Sequence, residues 1–501
     1  MIESQAQLSL PLDDFYAPPE VPTIARNERV FCNRNLRMHQ IAWVGFDMDY
    51  TLAIYNQEEM DELSIRSTMT KLLARGYPSF LTSIPYSITF PVRGLLIDKR
   101  FGHILKMDRY KHVCKGYHGF RELTRDELRQ LYHAKKIRPA TPRYHWIDTL
   151  YALSEAALYT AIVEAYEARG MPIDYTRVFA DIRECIDEAH RDGTILNAVS
   201  NDLPRYIVKD PKLAPALDKL RSAGKRLFVL TNSRWSYTEK MMTYLLGGQM
   251  GEYPQWRNFF DVVVVAAGKP AFFQERRPLM ERDGEALKPA AIPLERGRIY
   301  EGGNLIELER GVGVSGDQIL YVGDHIYGDI LRSKKDSAWR TAMIIQELET
   351  EVAAYESCHE DFVRNEHLEG VREQLEDELR FYQNRFKELS RRIEAGTGKN
   401  GAGGKIVELE GERTRIKRAV ERIRGRLRQL ELELSTLERR IDLRFHPYWG
   451  SLLKEANEQS SFGAQVDEYA CLYTSRVSNF FAYSPQQFFR SPRDEMAHEI
   501  G

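Results

Sequence analysis

Five short apolar runs constrain the fold of this 501-residue chain more than any other feature of its sequence. Runs of this length, bounded by turn-forming or charged residues, are typical of parallel strands that are buried on both faces. Segments with helical spacing lie between them, as a layered α/β fold requires. We therefore predict a doubly wound, Rossmann-like parallel sheet built from the runs 41–46, 227–230, 262–265, 319–322 and 342–345.

The spacing of these runs predicts an inserted domain. The first two are separated by about 180 residues, whereas a strand–helix–strand crossover needs about 30. Within the interval, residues 146–169 and 175–191 have helical apolar spacing, and residues 86–107 include a strand-like stretch with turn signals. We expect a core at 29–64 and 206–360, interrupted by a mixed α/β cap at 65–205.

Beyond the core, charge-rich helical sequence replaces the strand pattern. Apolar residues recur at alternating spacings of four and three between Ile416 and Ile441, and a matching apolar face runs from Leu375 to Ile393. We predict a helical hairpin at 361–445, whose pairing within one chain or between chains the sequence leaves open. A helical segment packing on the core is expected at 446–501, and a proline-containing flexible arm at 1–28.

Charge and cysteine content exclude several classes of protein. The 71 Lys and Arg residues nearly balance 73 Asp and Glu residues, so nothing favours binding to nucleic acid or to an anionic membrane. The five scattered cysteines form no metal-binding or disulfide pattern. Without an apolar stretch of about 18 residues or an export signal, the sequence predicts a cytoplasmic protein with no membrane span.

Chemically useful side chains follow four of the predicted strands. Asp47 and Asp49 come directly after the first, in the order Asp-Met-Asp-Tyr-Thr. Two carboxylates at a turn can divide the work, because one can attack phosphorus while the other protonates the leaving oxygen. Thr231 and Asn232 follow the second strand and can receive phosphate oxygens. Lys269 follows the third and can neutralise a transferring phosphoryl group.

The fourth strand ends in a glycine-flanked pair of carboxylates, Asp324 and Asp329. Magnesium prefers a few carboxylates, waters and substrate phosphate oxygens. Since open α/β sheets bind ligands at the carboxyl ends of their strands, these four strand ends together predict a Mg²⁺-dependent phosphoryl-transfer site.

This pattern resembles the haloacid dehalogenase-like superfamily, whose motifs are an Asp-x-Asp-x-Thr run, a Thr or Ser, a Lys and a paired acidic motif. The runs 45–53, 268–273 and 321–331 are further similar to the cytosolic purine 5′-nucleotidase family, the type that prefers IMP and GMP. The resemblance implies an aspartyl-phosphate on Asp47 and general acid–base catalysis by Asp49. It also implies that Mg²⁺ sits on Asp47, Asp324 and the backbone carbonyl of Asp49, with Asp329 supporting its waters.

The resemblance also implies a base-recognition segment on the cap, with Arg183, Asp187 and His190 on one helical face and Tyr151 on another helix. Spacing alone favours an exposed ion pair beside a histidine, and the family resemblance favours base recognition instead. This sequence departs from the family at Leu196, where the family has lysine, and at Ala152, where it has asparagine. The preferred base therefore stays open.

These observations predict a phosphoric monoester hydrolase for nucleoside 5′-monophosphates, purine ones by resemblance, with phosphotransfer to another nucleoside as a further activity. One alternative is a haloacid dehalogenase-type phosphatase for another small phosphate ester. A second is an assembly protein that acts mainly through its helical hairpin. The resemblance implies a homo-oligomer, either a dimer or a tetramer.

Overall fold

The computed structural model of the chain describes residues 23–132, 137–331, 337–396 and 403–493, together with residues 333, 335 and 499. Most of the arm expected at 1–28 and the glycine-rich connector of the hairpin lie outside the described residues. The predicted fold class is confirmed, because a parallel-dominated sheet forms the core, an α/β insertion interrupts it, and a helical hairpin follows it.

In the described part of the chain, the main sheet has ten strands, and its central part is parallel. Trp43–Phe46 lies in the middle, with Ile319–Gly323 on one side and Arg226–Leu230 on the other, both parallel to it. The full spatial order is Phe31–Cys32, Leu472–Thr474, Arg340–Ile344, Ile319–Gly323, Trp43–Phe46, Arg226–Leu230, Val262–Val265, Ile299–Gly302, Leu279–Asp283 and Ala286–Pro289. All five predicted strands are present, with bounds that shift by at most two residues.

The insertion carries its own antiparallel sheet. Its spatial strand order is Arg121–Glu122, Val113–His118, His103–Met107, Leu95–Asp98 and Tyr144–Ile147. Two-stranded pairs form elsewhere between Ile54–Tyr55 and Ile207–Val208, between Leu36–Arg37 and Phe488–Phe489, and between Lys454–Glu455 and Glu458–Gln459. The domain boundaries proposed from the sequence fall close to these changes of sheet and stay a prediction.

Helices alternate with the strands of the main sheet, occur in the insertion and form the C-terminal hairpin. They are Gln57–Ala74, Arg125–Tyr132, Ala152–Glu167, Tyr175–Arg191, Thr194–Asn201, Leu203–Tyr206, Leu213–Ser222, Trp235–Leu246, Leu305–Val312, Leu348–Ser357, His359–Gly396, Gly403–Phe445 and Ser461–Tyr469. Among the described residues, none of these helices is both long and apolar enough to cross a membrane.

The two longest helices pack against each other within one chain. The apolar residues predicted for the hairpin form two buried clusters, one around Leu375, Ile423 and Leu430, the other around Leu389 and Val420. The apolar residues at alternating spacings of four and three therefore pack the two helices against each other within the chain.

The structure corrects two predicted elements. The helix expected from residue 146 begins at Ala152, because the residues before it pair with Leu95–Asp98 as a cap strand. The C-terminal segment is not only helical, since Leu472–Thr474 joins the main sheet beside Arg340–Ile344. Both strands are three or four residues long, and so short a run has no periodicity that separates strand from helix.

One cap residue attaches the insertion to the C-terminal segment. Lys106 is 4% exposed, and its ammonium donates hydrogen bonds to the backbone carbonyls of Trp449, Ser451 and Lys454 at 2.8, 2.8 and 2.9 Å. It also pairs with Glu455 at 2.7 Å. A buried ammonium is tolerated only when its donors are satisfied, so this contact fixes one side of the cap sheet to the core.

Candidate active site

Four neighbouring strands bring their carboxyl ends to one edge of the main sheet. Asp47 follows the central strand, and its backbone N–H bonds Val322 in the neighbouring strand at 2.9 Å. Thr231 follows the strand on the other side, and its backbone N–H donates to the carbonyl of Val264, in the strand beyond, at 3.0 Å. The parallel register thus places the predicted residues side by side, which their separation along the chain does not require.

Lys269 connects the acidic groups of this edge. Its ammonium lies 3.0 Å from Asp47 Oδ1 and 2.6 Å from Asp329 Oδ1, and it bonds the Tyr321 hydroxyl at 2.8 Å. The Tyr321 hydroxyl in turn donates to the carbonyl of Leu230 at 3.0 Å. The lysine is therefore held rigidly with its charge between two carboxylates.

Three carboxylates crowd around this one lysine. Asp47, Asp324 and Asp329 offer oxygen atoms that all lie within 4.8 Å of one another. Burial raises the pKa of Asp47 to about 8, with Lys269 opposing the shift and Asp329 adding to it. Burial and then repulsion from Asp329 and Asp47 also raise the pKa of Asp324. A donor set of carboxylate oxygens with excess negative charge suits a hard divalent cation such as Mg²⁺.

Asp49 points to a different part of the site. Its two carboxylate oxygens accept hydrogen bonds from the Tyr55 hydroxyl at 2.5 Å and from Ser233 Oγ at 2.6 Å. Burial raises its pKa, against the effect of these two hydrogen bonds. The turn after it includes Tyr50 at a φ of 55°, in the left-handed region. The carboxylate of Asp49 is thus held by two hydroxyl groups and is not one of the three clustered carboxylates.

Thr231 and Asn232 shape the wall beside Lys269. Thr231 is fully buried, and its Oγ1 accepts from the backbone N–H of Ser233 at 3.0 Å. The Asn232 amide donates to the Lys269 carbonyl at 2.9 Å and accepts from the Lys269 N–H at 2.6 Å. Asn232 therefore fixes the backbone of the lysine. The phosphate contacts predicted for both residues stay a prediction.

A cleft of about 540 Å³ joins the sheet edge to the cap helices. Asp49, Asn232 and Ser233 line it from the core, and Tyr151, Asp187 and His190 line it from the cap. The ring of Tyr151 meets that of His190 edge-on, with centroids 5.8 Å apart. Three of the four predicted cap residues thus face the same space as Asp49.

Arg183 is the exception among the predicted cap residues. One of its terminal nitrogens lies 2.8 and 3.0 Å from the two carboxylate oxygens of Glu155, whereas Asp187 lies 4.0 Å away. Glu155 is 4% exposed, and burial raises its pKa to about 7 although Arg183 opposes the shift. Arg183 is not among the residues lining the cleft. The structure therefore separates it from the other three.

Several residues of the site were not predicted from the sequence. Ser233 and Tyr55 hold Asp49, and Tyr237 shares a 2.8 Å hydrogen bond with Tyr55. Glu155 holds Arg183. Ser233 could have been found, because it directly follows Thr231 and Asn232 at the same strand end. Tyr55, Tyr237 and Glu155 carry no motif and become visible only through their contacts.

Solved structures of phosphatases overlap this chain in part. A predicted phosphoglycolate phosphatase from Haemophilus somnus aligns with a TM-score of 0.27 and 15% identity, over 61% of this chain and 85% of that one. CbbY from Rhodobacter sphaeroides, in complex with phosphate, aligns with a TM-score of 0.23 and 14% identity, over 61% and 86% of the two chains.

Comparison of the sequence with known families and proteins identifies the family of the chain. The profile of the 5′ nucleotidase family matches residues 30–501. A 5′-nucleotidase domain-containing protein of Dictyostelium discoideum is 29% identical over 489 residues, which are 96% of this chain and 76% of that protein. The human 5′-nucleotidase domain-containing protein 2 is 31% identical and the rat protein 30%, each over 67% of this chain. The matched regions span 66% of the human protein and 62% of the rat protein. The predicted relationship is confirmed: the chain belongs to the 5′ nucleotidase family, a family of phosphoric monoester hydrolases.

Proposed function

We propose that this protein hydrolyses nucleoside 5′-monophosphates, purine ones in particular, in a Mg²⁺-dependent reaction through an aspartyl-phosphate on Asp47. The observation that carries the proposal is the grouping of Asp47, Lys269 and Asp329, with the ammonium 3.0 and 2.6 Å from the two carboxylates. A nucleophilic carboxylate beside a fixed positive charge is what in-line phosphoryl transfer requires.

In the first step, an Asp47 carboxylate oxygen attacks phosphorus and the bond from phosphorus to the 5′ oxygen breaks. Asp49 gives its proton to the departing 5′ oxygen, so the nucleoside leaves neutral. In the second step, a water molecule attacks the aspartyl-phosphate, Asp49 takes a proton from that water, and inorganic phosphate leaves. If a second nucleoside hydroxyl replaces water, the same step transfers the phosphoryl group.

Lys269 supports both steps by offsetting charge on the phosphoryl oxygens. We propose that Asp47 and Asp324 would hold the metal together with the Asp49 carbonyl, and that Asp329 would support its waters. The ion would supply charge stabilisation for the phosphoryl group and for the crowded carboxylates. Tyr55 and Ser233 hold the two carboxylate oxygens of Asp49, which lines the cleft.

The cap wall of the cleft supports a nucleoside as the leaving group. Tyr151 and His190 offer aromatic faces, and Asp187 offers a carboxylate whose side chain is 56% exposed. Aromatic faces suit a planar base, and a carboxylate accepts hydrogen bonds from N–H groups on its edge. Among the predicted cap residues, we therefore assign base recognition to Tyr151, Asp187 and His190, which line the cleft.

A second candidate is hydrolysis of another small phosphate ester. It is favoured by the position of Arg183, which Glu155 holds outside the cleft, and by the apolar side chain of Leu196 in the cleft wall. With these two positions unavailable for hydrogen bonding to a base, the cap offers fewer contacts to a nucleobase than the family pattern implies.

The test is a substrate panel with purified protein and Mg²⁺, comparing IMP, GMP, AMP and UMP with sugar phosphates by kcat/KM. We expect a nucleoside monophosphate to exceed every sugar phosphate by at least about tenfold. Equal or higher kcat/KM for a sugar phosphate would favour the second candidate. Chelation by EDTA should abolish turnover, and added Mg²⁺ should restore it.

The nucleophile is tested with Asp47→Asn, which keeps the size of the side chain. We expect loss of turnover by more than about 10³-fold with an unchanged circular dichroism spectrum. Asp283→Asn serves as the matched control, because Asp283 is an exposed aspartate at the end of another strand of the same sheet. Turnover near the wild-type value in the Asp47 variant would refute the assignment.

A further inference from the structure

A buried arginine of the inserted segment lies beneath the metal-binding edge of the core. Arg93 comes just before the first strand of the cap sheet, Leu95–Asp98, and its side chain is 0% exposed. An arginine cannot lose its charge at ordinary pH, so complete burial is stable only with well-oriented partners. The partners of Arg93 therefore indicate what it is there to hold.

The guanidinium of Arg93 bridges two parts of the core. Its Nε and one terminal nitrogen donate to the two carboxylate oxygens of Glu347, at 2.7 and 2.5 Å. Its other terminal nitrogen donates to the backbone carbonyl of Asp324 at 3.1 Å. The group also lies over the ring of Phe462, 5.2 Å from the centroid. This planar set of contacts uses the fork geometry that lysine lacks.

The contact to Asp324 has a consequence for the site. Asp324 belongs to the three-carboxylate group, and the wide helical turn Ile326–Leu331 follows it closely. A hydrogen bond to its carbonyl fixes the orientation of that peptide and, with it, the direction in which the Asp324 side chain leaves the backbone. Groups that orient a metal ligand in this way typically change metal affinity by about 10 to 100-fold when they are removed.

We infer that Arg93 is a positioning residue for the divalent metal, acting through the backbone of Asp324. Glu347 fixes the guanidinium, the guanidinium fixes the Asp324 peptide, and that peptide directs the carboxylate toward Asp47. The inserted segment thereby supplies part of the floor beneath the metal as well as the cover above the cleft. The inference rests on the proposed function in one respect, namely that Asp324 binds the metal.

The test compares Arg93→Lys with Arg476→Lys. Arg476 is a matched control, because it forms the same kind of two-point pair with Glu349, at 2.5 and 3.2 Å, near the same helix. Mn²⁺ binding is measured directly by electron paramagnetic resonance, and Mg²⁺ half-saturation is measured from the initial rate. We expect Arg93→Lys to weaken both by at least about tenfold, with kcat at saturating metal within about threefold of wild type. Arg476→Lys should leave both unchanged.

Wild-type Mn²⁺ affinity in a folded Arg93→Lys protein would overturn the inference, as would an equal loss in the Arg476 control. If Arg93→Lys fails to fold, Glu347→Gln carries the test. It weakens the hold on the guanidinium, keeps Arg93 in place, and should also weaken Mn²⁺ binding. The Mn²⁺ measurement separates the two proposals, because an enzyme inactive on all nucleotides could still lose metal affinity on substitution of Arg93.

Discussion

Asp61 gives the chain a pH-dependent loss of stability that one substitution should remove. It lies on the helix Gln57–Ala74 and is 4% exposed. The side-chain amide of Gln57, in the same helix, donates a hydrogen bond to Asp61 Oδ1 at 3.0 Å. Burial raises the pKa of Asp61 from 3.8 to about 7, although the Gln57 hydrogen bond opposes the shift.

The size and sign of the effect follow from linkage. Between about pH 4 and about pH 7, the folded chain keeps a proton on Asp61 that the unfolded chain releases, so the free energy of unfolding falls as pH rises. A pKa raised from 3.8 to about 7 corresponds to a cost of about 4 kcal/mol above pH 7, at about 1.4 kcal/mol per tenfold change in the equilibrium. Because side chains and water relax around a buried charge, we take about 4 kcal/mol as the upper end.

Asp61→Asn keeps the shape and the acceptor for Gln57 but cannot ionise. We expect its urea midpoint to be close to wild type at about pH 4.5 and clearly higher at about pH 8, when unfolding is followed by tryptophan fluorescence. Glu285→Gln, which neutralises an exposed carboxylate, should show no such pH-dependent gain. A difference between Asp61→Asn and wild type that is the same at both pH values, or a loss of stability at pH 8, would refute the reasoning.

Three further perturbations test the sheet, the site and the cap. Gly45→Ala would place a Cβ 2.0 Å from the Phe228 ring, so we expect the free energy of unfolding to fall by about 3 kcal/mol or more in urea titrations. Lys269→Met should lower kcat by about 10² to 10³-fold in steady-state assays, and a loss below threefold would contradict its role. Glu155→Gln should weaken the hold on Arg183 and let its guanidinium reach a base bound in the cleft. Because a guanidinium donates to a carbonyl on the base, we expect kcat/KM for IMP relative to AMP to rise by about tenfold. An unchanged ratio would show that Arg183 stays outside the cleft.

The grouping of Asp47, Lys269 and Asp324 was predictable because parallel strands end at the same edge of a sheet. Each of these residues follows an apolar run, so the sequence pattern carried their placement. Arg93 and Glu347 are 254 residues apart along the chain, and their pairing depends on how the insertion docks on the core. The contact between Glu155 and Arg183 joins two helices of the cap, and no spacing rule within one helix could predict it.

The hydrogen bonds of Lys106 bear on how substrate enters. A cap that opened as one rigid body would separate this ammonium from three carbonyls and one carboxylate at once, leaving several buried polar groups without partners. Movement confined to the helices Tyr175–Arg191 and Thr194–Asn201, which lie on the other wall of the cleft, would leave those bonds intact. We therefore expect admission of substrate to depend on local rearrangement of these two helices, while the cap sheet remains stationary.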